Sequence, residues 1–215
     1  MKVVVIGATG FVGQQIVNEL DTRNYNIKAL ARDITKVKDS TNIEKVAVDI
    51  FKHEDLIAAI TGADAVVSAY NPGWTNPNIY EDFLAGAQAI QKAIKEAGIK
   101  RYIVIGGAGS LLIDGNRLVD GPDFPAEIKP GALAAAEYLD IIRKEDELDW
   151  TYFSPAIEMH PGTSGERKGT YRTALDSPVF DANGRSVLSV EDVAVAIVDE
   201  LENNNFIKKR FTAAY

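Results

Sequence analysis

The chain has 215 residues, with 23 Lys and Arg against 31 Asp and Glu for a formal net charge of −8, and 46% hydrophobic residues. At about 150 residues per domain this is one large domain with an ordinary globular composition, and its acidic balance argues against a nucleic-acid groove, which needs a basic face. Cysteine is absent, and the two histidines, His53 and His160, stand far apart, so disulfides, thiolate chemistry and a metal site are not expected.

Met1 and Lys2 lead directly into Val3-Val4-Val5-Ile6, an apolar run too short for a signal-peptide core or a membrane span. The expectation is a cytoplasmic protein with no membrane partner. Val3–Ile6 reads as a buried strand, followed by a glycine-rich turn and a helix over 11–22. Strands follow at 27–31 and 45–48, a helix opens near Lys52-His53-Glu54-Asp55, and Ala65–Ser68 is a fourth strand. A long helix over 78–97 stops at Gly98, as helices commonly do, and Arg101–Ile105 is a fifth strand. Residues 114–130 carry several Pro and Gly residues and read as a loop crossing over the sheet's edge. A helix over 132–145 and a strand over 150–154 come next, and 161–183 reads as a loop with a hairpin. Ser189 with Asp192 three residues on is a capping start for a helix to about Glu202, and 208–212 reads as a closing edge strand. Buried strands alternating with helices predict an α/β fold, a Rossmann-like doubly wound parallel sheet in a single domain over 1–215. Segments 110–131 and 155–185 form a small substrate-side lobe.

The strongest local signal is Gly7-Ala8-Thr9-Gly10-Phe11-Val12-Gly13 between the first strand and the first helix. Gly7 permits the tight turn, Gly10 lets backbone approach a pyrophosphate, and Gly13 lets helix and sheet pack closely. The helix amino end then offers free N–H groups and partial positive charge to phosphates. The spacing is one residue wider than G-x-G-x-x-G. Beyond the second strand lie Arg32 and Asp33. An arginine there pairs with a 2′-phosphate and a carboxylate with the ribose hydroxyls, so Arg32 favours NADP over NAD, with Asp33 capping the following segment. Asp49-Ile50 is placed at the adenine edge, and Ala69-Tyr70-Asn71 and Gly106-Gly107-Ala108, after the fourth and fifth strands, at the nicotinamide half.

The Gly-Ala-Thr-Gly-Phe-Val-Gly turn resembles that of atypical short-chain dehydrogenases. Trp150–Pro155, Gly169–Arg172, Ser189–Ala194 and Lys209–Thr212 resemble bacterial NADH-flavin reductase-like proteins, which are similar to NmrA-like proteins and to the flavin reductase/biliverdin reductase B group. The resemblance spans essentially the whole chain and implies an NAD(P)H-dependent oxidoreductase with flavin as a substrate. The Tyr-x-x-x-Lys pair of ordinary short-chain dehydrogenases is not kept: Tyr138 is followed four residues later by Ile142, and the serine expected after strand five is Ala108, with Ser110 two residues on. A ketone needs a positioned proton donor, whereas a reduced flavin spreads its charge and takes its proton from water. The missing pair therefore favours a flavin or similar conjugated acceptor. His160 resembles the histidine of the Pro-Pro-His segment in the biliverdin reductase B group. His160 and Tyr138 are the candidate catalytic residues, and Ser110, Pro155, His160, Tyr171 and Arg172 the candidate acceptor contacts, with Trp74 and Tyr80 as a further wall. A regulator-binding NADP sensor of the NmrA-like kind and an epimerase or dehydratase are the alternatives. The expected partner is a small-molecule acceptor, and the expected state a monomer or weak homodimer.

Overall fold

The computed structural model describes all residues, 1–215. The strands are β1 (Lys2–Ile6), β2 (Asn26–Ala31), β3 (Ile43–Ala47), β4 (Ala65–Ser68), β5 (Arg101–Ile105), β6 (Leu112–Ile113), β7 (Asn116–Arg117), β8 (Asp149–Ser154), β9 (Arg172–Ala174) and β10 (Lys209–Ala214). The α-helices are α1 (Phe11–Thr22), α2 (His53–Ile60), α3 (Ile79–Glu96), α4 (Lys129–Ile142) and α5 (Val190–Asn203). Eight strands form one sheet in the order β3-β2-β1-β4-β5-β8-β10-β9, and β6 and β7 pair separately. Every pairing in the large sheet is parallel except β10 with β9.

Strand alternation divides the core. Val3 and Val5 of β1 join Ile16 and Leu20 of α1 and Val193 and Ile197 of α5 on one face. Val4 and Ile6 join Leu56 and Ile60 of α2, Ile90 and Ile94 of α3, and Leu139 of α4 on the other. A sheet covered on both faces explains why its strands are continuous apolar runs. From β1 the chain builds β2 and β3 to one side and later β4 and β5 to the other. The carboxyl ends of β1 and β4 therefore flank a topological switch point, where such sheets bind ligands.

Three expectations are corrected. α4 begins at Lys129 rather than 132, with Pro130 inside its first turn; proline is tolerated there because the missing N–H has no helical partner anyway. The 161–183 segment holds no hairpin of its own: β9 pairs antiparallel with β10. Consequently β10 lies inside the sheet and β9 is the edge. Ser189 does cap α5, its Oγ accepting from Asp192 N–H at 3.1 Å. The Asp192 carboxylate accepts instead from Lys168 and Gly169 N–H and from Tyr215 Oη–H, tying the 165–171 segment and Tyr215 to α5.

Candidate functional site

The glycine turn is built by two backbone collisions avoided. Gly7 sits at φ +78°, and a Cβ there would lie 2.6 Å from the Ala69 carbonyl oxygen. A Cβ on Gly13 would lie 2.1 Å from the Gly7 carbonyl oxygen. These two glycines let β1, β4 and α1 converge. Gly10 is different: its φ is −76°, open to any residue, and a Cβ would meet only the Gly7 oxygen, at 3.3 Å. It caps α1 without a side-chain hydrogen bond. The helical ladder starts with Gln14 N–H donating to Gly10, so the N–H groups of Phe11, Val12 and Gly13 are unpaired. With no acidic side chain in that turn, the helix end is free to receive an anion.

Above this turn lies a cavity of about 820 Å³. It runs along the carboxyl ends of β2, β1, β4 and β5, three strand spacings or about 14 Å. Its lining includes Gly7, Thr9, Gly10, Phe11, Val12, Arg32, Asp49, Ile50, Ala69, Tyr70, Asn71, Gly106 and His160, which the sequence had placed at a site. At the β2 end, Arg32 is exposed and has no ion pair or hydrogen bond within the protein. Asp33 is committed elsewhere: its Oδ1 accepts from Thr35 N–H at 3.0 Å and from Thr35 Oγ1–H at 2.7 Å. Asp49 Oδ1 accepts from Phe51 N–H at 3.0 Å, which turns the chain so that Ile50 and Phe51 join the wall.

Between the ends stands Tyr70. Its hydroxyl donates to the Asp82 carbonyl at 3.0 Å, and its ring occupies space that a Cβ on Gly86 would fill, 2.3 Å away. Burial, reinforced by the Asp82 charge, pushes its pKa up to about 12, so near neutral pH it stays a protonated wall residue. At the β5 end, Gly106 is a glycine for a core reason: a Cβ there would lie 1.9 Å from the Tyr152 ring. His160 is exposed, and its Nδ1 accepts from Gly162 N–H at 3.1 Å. In the neutral ring the proton therefore sits on Nε2.

Other expected residues lie away from the cavity. Gly13 shapes the turn from behind, and Gly107 and Ala108 pack toward α4, a Cβ on Gly107 meeting Ala135 at 3.4 Å. Tyr138 is fully buried; its hydroxyl donates to Gln91 Oε1 at 3.1 Å and lies 3.4 Å from Tyr102 Oη. Burial raises its pKa well above the ordinary phenol value. It is a core residue without access to the cavity, which corrects its placement as a catalytic candidate. Ser110 is buried, its Oγ donating to the Gly107 carbonyl at 3.1 Å, while Arg210 Nη1 donates to the Ser110 carbonyl at 2.9 Å. Pro155 is buried at the end of β8. Tyr171 Oη–H donates to Asp199 on α5, and Arg172 donates to the Phe180 and Tyr215 carbonyls at the sheet edge. Tyr80 bonds Glu137 on the surface, whereas Trp74 does line the cavity. Phe51, Asn76, Ile128, Met159 and Pro161 also line it. Their only sequence signals were adjacency to Asp49-Ile50 and His160, membership of the substrate-side segments and, for Asn76, its place beside Trp74.

A doubly wound sheet with an anion-ready helix end at its switch point and an unpaired arginine one strand away defines a dinucleotide-binding protein. The chain belongs to the NAD(P)H-binding family, whose model matches residues 7–204. It is 34% identical over 215 residues to the uncharacterized protein YwnB of Bacillus subtilis, covering 99% of this chain and 97% of that one. A Bacteroides thetaiotaomicron structure provisionally named an epimerase is 39% identical with a TM-score of 0.92, covering 100% and 96% of the two chains. A Streptococcus pneumoniae structure provisionally named an NADH-flavin reductase is 36% identical with a TM-score of 0.86, covering 100% and 99%. No helix is long and apolar enough to cross a membrane.

Proposed function

We propose that this protein is an NAD(P)H-dependent oxidoreductase that prefers NADP and passes hydride to a flavin or a similarly flat conjugated acceptor. The observation that carries the reading is a cavity whose β2 end is equipped for a dinucleotide while its β5 end lacks a buried acid–base pair. The N–H groups of Phe11 and Val12 at the start of α1 would hold the diphosphate, and Arg32 the 2′-phosphate. Asp33 does not compete, because its carboxylate is spent on Thr35. When bound, a reduced nicotinamide would supply the hydride at the expense of its own oxidation, and the accompanying proton would come from solvent.

The protein's own part is positioning and exclusion of water. α4 turns Ala132 and Ala135 toward the loop after β5, where Cβ atoms on Gly109 and Gly107 would meet them at 3.0 and 3.4 Å. The phenol nearest that loop, Tyr152, is fully buried with its hydroxyl donating to the Ala135 carbonyl at 2.7 Å, so α4 presents no free proton donor for an alkoxide. A conjugated acceptor disperses the charge it receives and does not need one, so alignment against the nicotinamide suffices. His160, the one imidazole on the wall, offers Nε2–H to orient an anionic or carbonyl edge of the acceptor.

Mixing the protein with NADPH and FMN and following absorbance at 340 nm tests the proposal. Turnover above the uncatalysed rate supports it; binding of NADPH without turnover toward FMN, FAD or quinones would favour the sensor alternative. The epimerase designation of one relative motivates a second reading, but moving hydride on a sugar alcohol requires a base for the hydroxyl proton, which α4 does not present. A cytoplasmic location and a monomeric or weakly dimeric state belong to the same proposal.

A further inference from the structure

One cavity residue is arranged in a way that dinucleotide binding does not account for. Trp74 leaves 58% of its surface exposed while lining the cavity. The rest of its indole lies against the start of α4. A Cβ on Gly131 would sit 2.9 Å from Trp74 Cζ3 and 2.8 Å from Ile79 Cδ1. Alanine is the better helix residue, so the absence of a side chain at 131 gives this indole its seat. The loop is pinned on both sides of it. Asn71 Oδ1 accepts from Gly73 N–H at 2.7 Å, Asn76 Oδ1 accepts from Asn78 N–H at 2.9 Å, and Asn76 Nδ2 donates to Asp82 Oδ2 at 2.7 Å.

The placement separates Trp74 from the phosphate end. Arg32 follows β2, whereas α4 packs against the loop after β5, three strands away. A large apolar plane, held in place yet left open to water, is what a flat ring system needs as a stacking partner. Ile128, 40% exposed on the same wall, extends the apolar surface. We propose that Trp74, seated on Gly131, is the stacking wall for the acceptor and sets the preference for planar conjugated acceptors such as an isoalloxazine. This rests on the oxidoreductase reading for its kinetic readout but not for its binding readout.

Trp74 reports on itself. The only other tryptophan, Trp150, is 2% exposed, with Nε1–H donating to the Glu145 carbonyl at 3.1 Å. FMN titrated into protein saturated with NADP⁺, where no hydride is available, should quench the exposed indole saturably. Trp74→Ala should abolish the saturable part and raise KM for FMN at least tenfold, with KM for NADPH within twofold. Trp74→Phe should recover most of the loss and Trp74→Leu should not, because stacking rather than bulk is required. Gly131→Ala, which unseats the indole, should raise KM for FMN in the same direction. Saturable quenching lost in Trp74→Ala, in a wild type that shows no turnover, would uphold this assignment while sinking the oxidoreductase reading. Turnover with KM for FMN unchanged in Trp74→Ala would do the reverse. Absence of saturable quenching in the wild type, or equal losses for FMN and NADPH, overturns the assignment.

Discussion

Replacing Gly10 and Gly13 separately by alanine distinguishes a turn that merely packs from one that grips phosphates. At Gly13 the new Cβ would lie 2.1 Å from the Gly7 oxygen and 2.8 Å from its carbonyl carbon, both backbone atoms. Such overpacking costs about 3 kcal/mol at the upper end of its usual range, and the helix regains about 1 kcal/mol on losing a glycine. The net destabilisation is roughly 2 kcal/mol, or a fall in Tm of about 4–8 °C for a domain of this size. At Gly10 the nearest contact is 3.3 Å and φ is −76°. The folded state therefore loses only the cap preference, about 1 kcal/mol. A bound diphosphate, however, would be pushed off at least one of the free N–H groups at the start of α1. At about 1.5–3 kcal/mol per charged hydrogen bond, NADPH should bind roughly 10–150-fold more weakly. Scanning calorimetry gives the first quantity for each variant and isothermal titration with NADPH the second. A folded Gly10→Ala protein that binds NADPH within threefold of wild type would refute the phosphate-grip argument.

Three further outcomes are expected. Arg32→Ala should weaken NADPH by ~1–3 kcal/mol and leave NADH nearly unchanged; parallel titrations check this, and equal losses would remove the 2′-phosphate assignment. Tyr138→Phe should cost about 1 kcal/mol of stability for the lost hydrogen bond to Gln91 and keep kcat within twofold, whereas a general acid's removal costs about 10²–10⁴, so a hundredfold loss in steady-state assays would restore Tyr138 to the mechanism. Buried Glu19 has its carboxyl held below the usual range, chiefly by its hydrogen bond from Arg167 and also by Arg23. Its contribution is complete above the unfolded value near ~4.3 and drains away as pH falls through the lower folded value. Glu19→Gln should therefore flatten that part of the acid-unfolding profile, and an unchanged slope would contradict the linkage.

The turn and most of the cavity lining near it were legible because their determinants are local. A glycine at 7, 10 or 13 and an arginine directly after β2 act within a few residues of where they stand. The acceptor side was misread where partners are remote in sequence. Ser110 is claimed by Arg210, Tyr171 by Asp199, and Arg172 by Tyr215, and no spacing rule reveals such pairs. Tyr138 failed for a different reason. α4 is rich in alanine, so hydrophobic periodicity fixed its phase poorly, and its start lay three residues earlier than expected. The face toward the loop after β5 then carries Ala132 and Ala135, while Tyr138 points into the core. Gly106 shows a related trap: its lack of a side chain serves the Tyr152 ring as well as any ligand.

If the cavity above the β1–α1 turn holds NADPH for hydride transfer, the coenzyme's own fluorescence reports both binding and discharge. The most direct measurement is titration of the wild-type protein with NADPH, following nicotinamide fluorescence, with FMN then added to the saturated complex. A one-to-one saturable signal is expected, and it should decay on FMN addition faster than in protein-free solution. A flat titration, or a bound NADPH that FMN does not discharge, would contradict this reading.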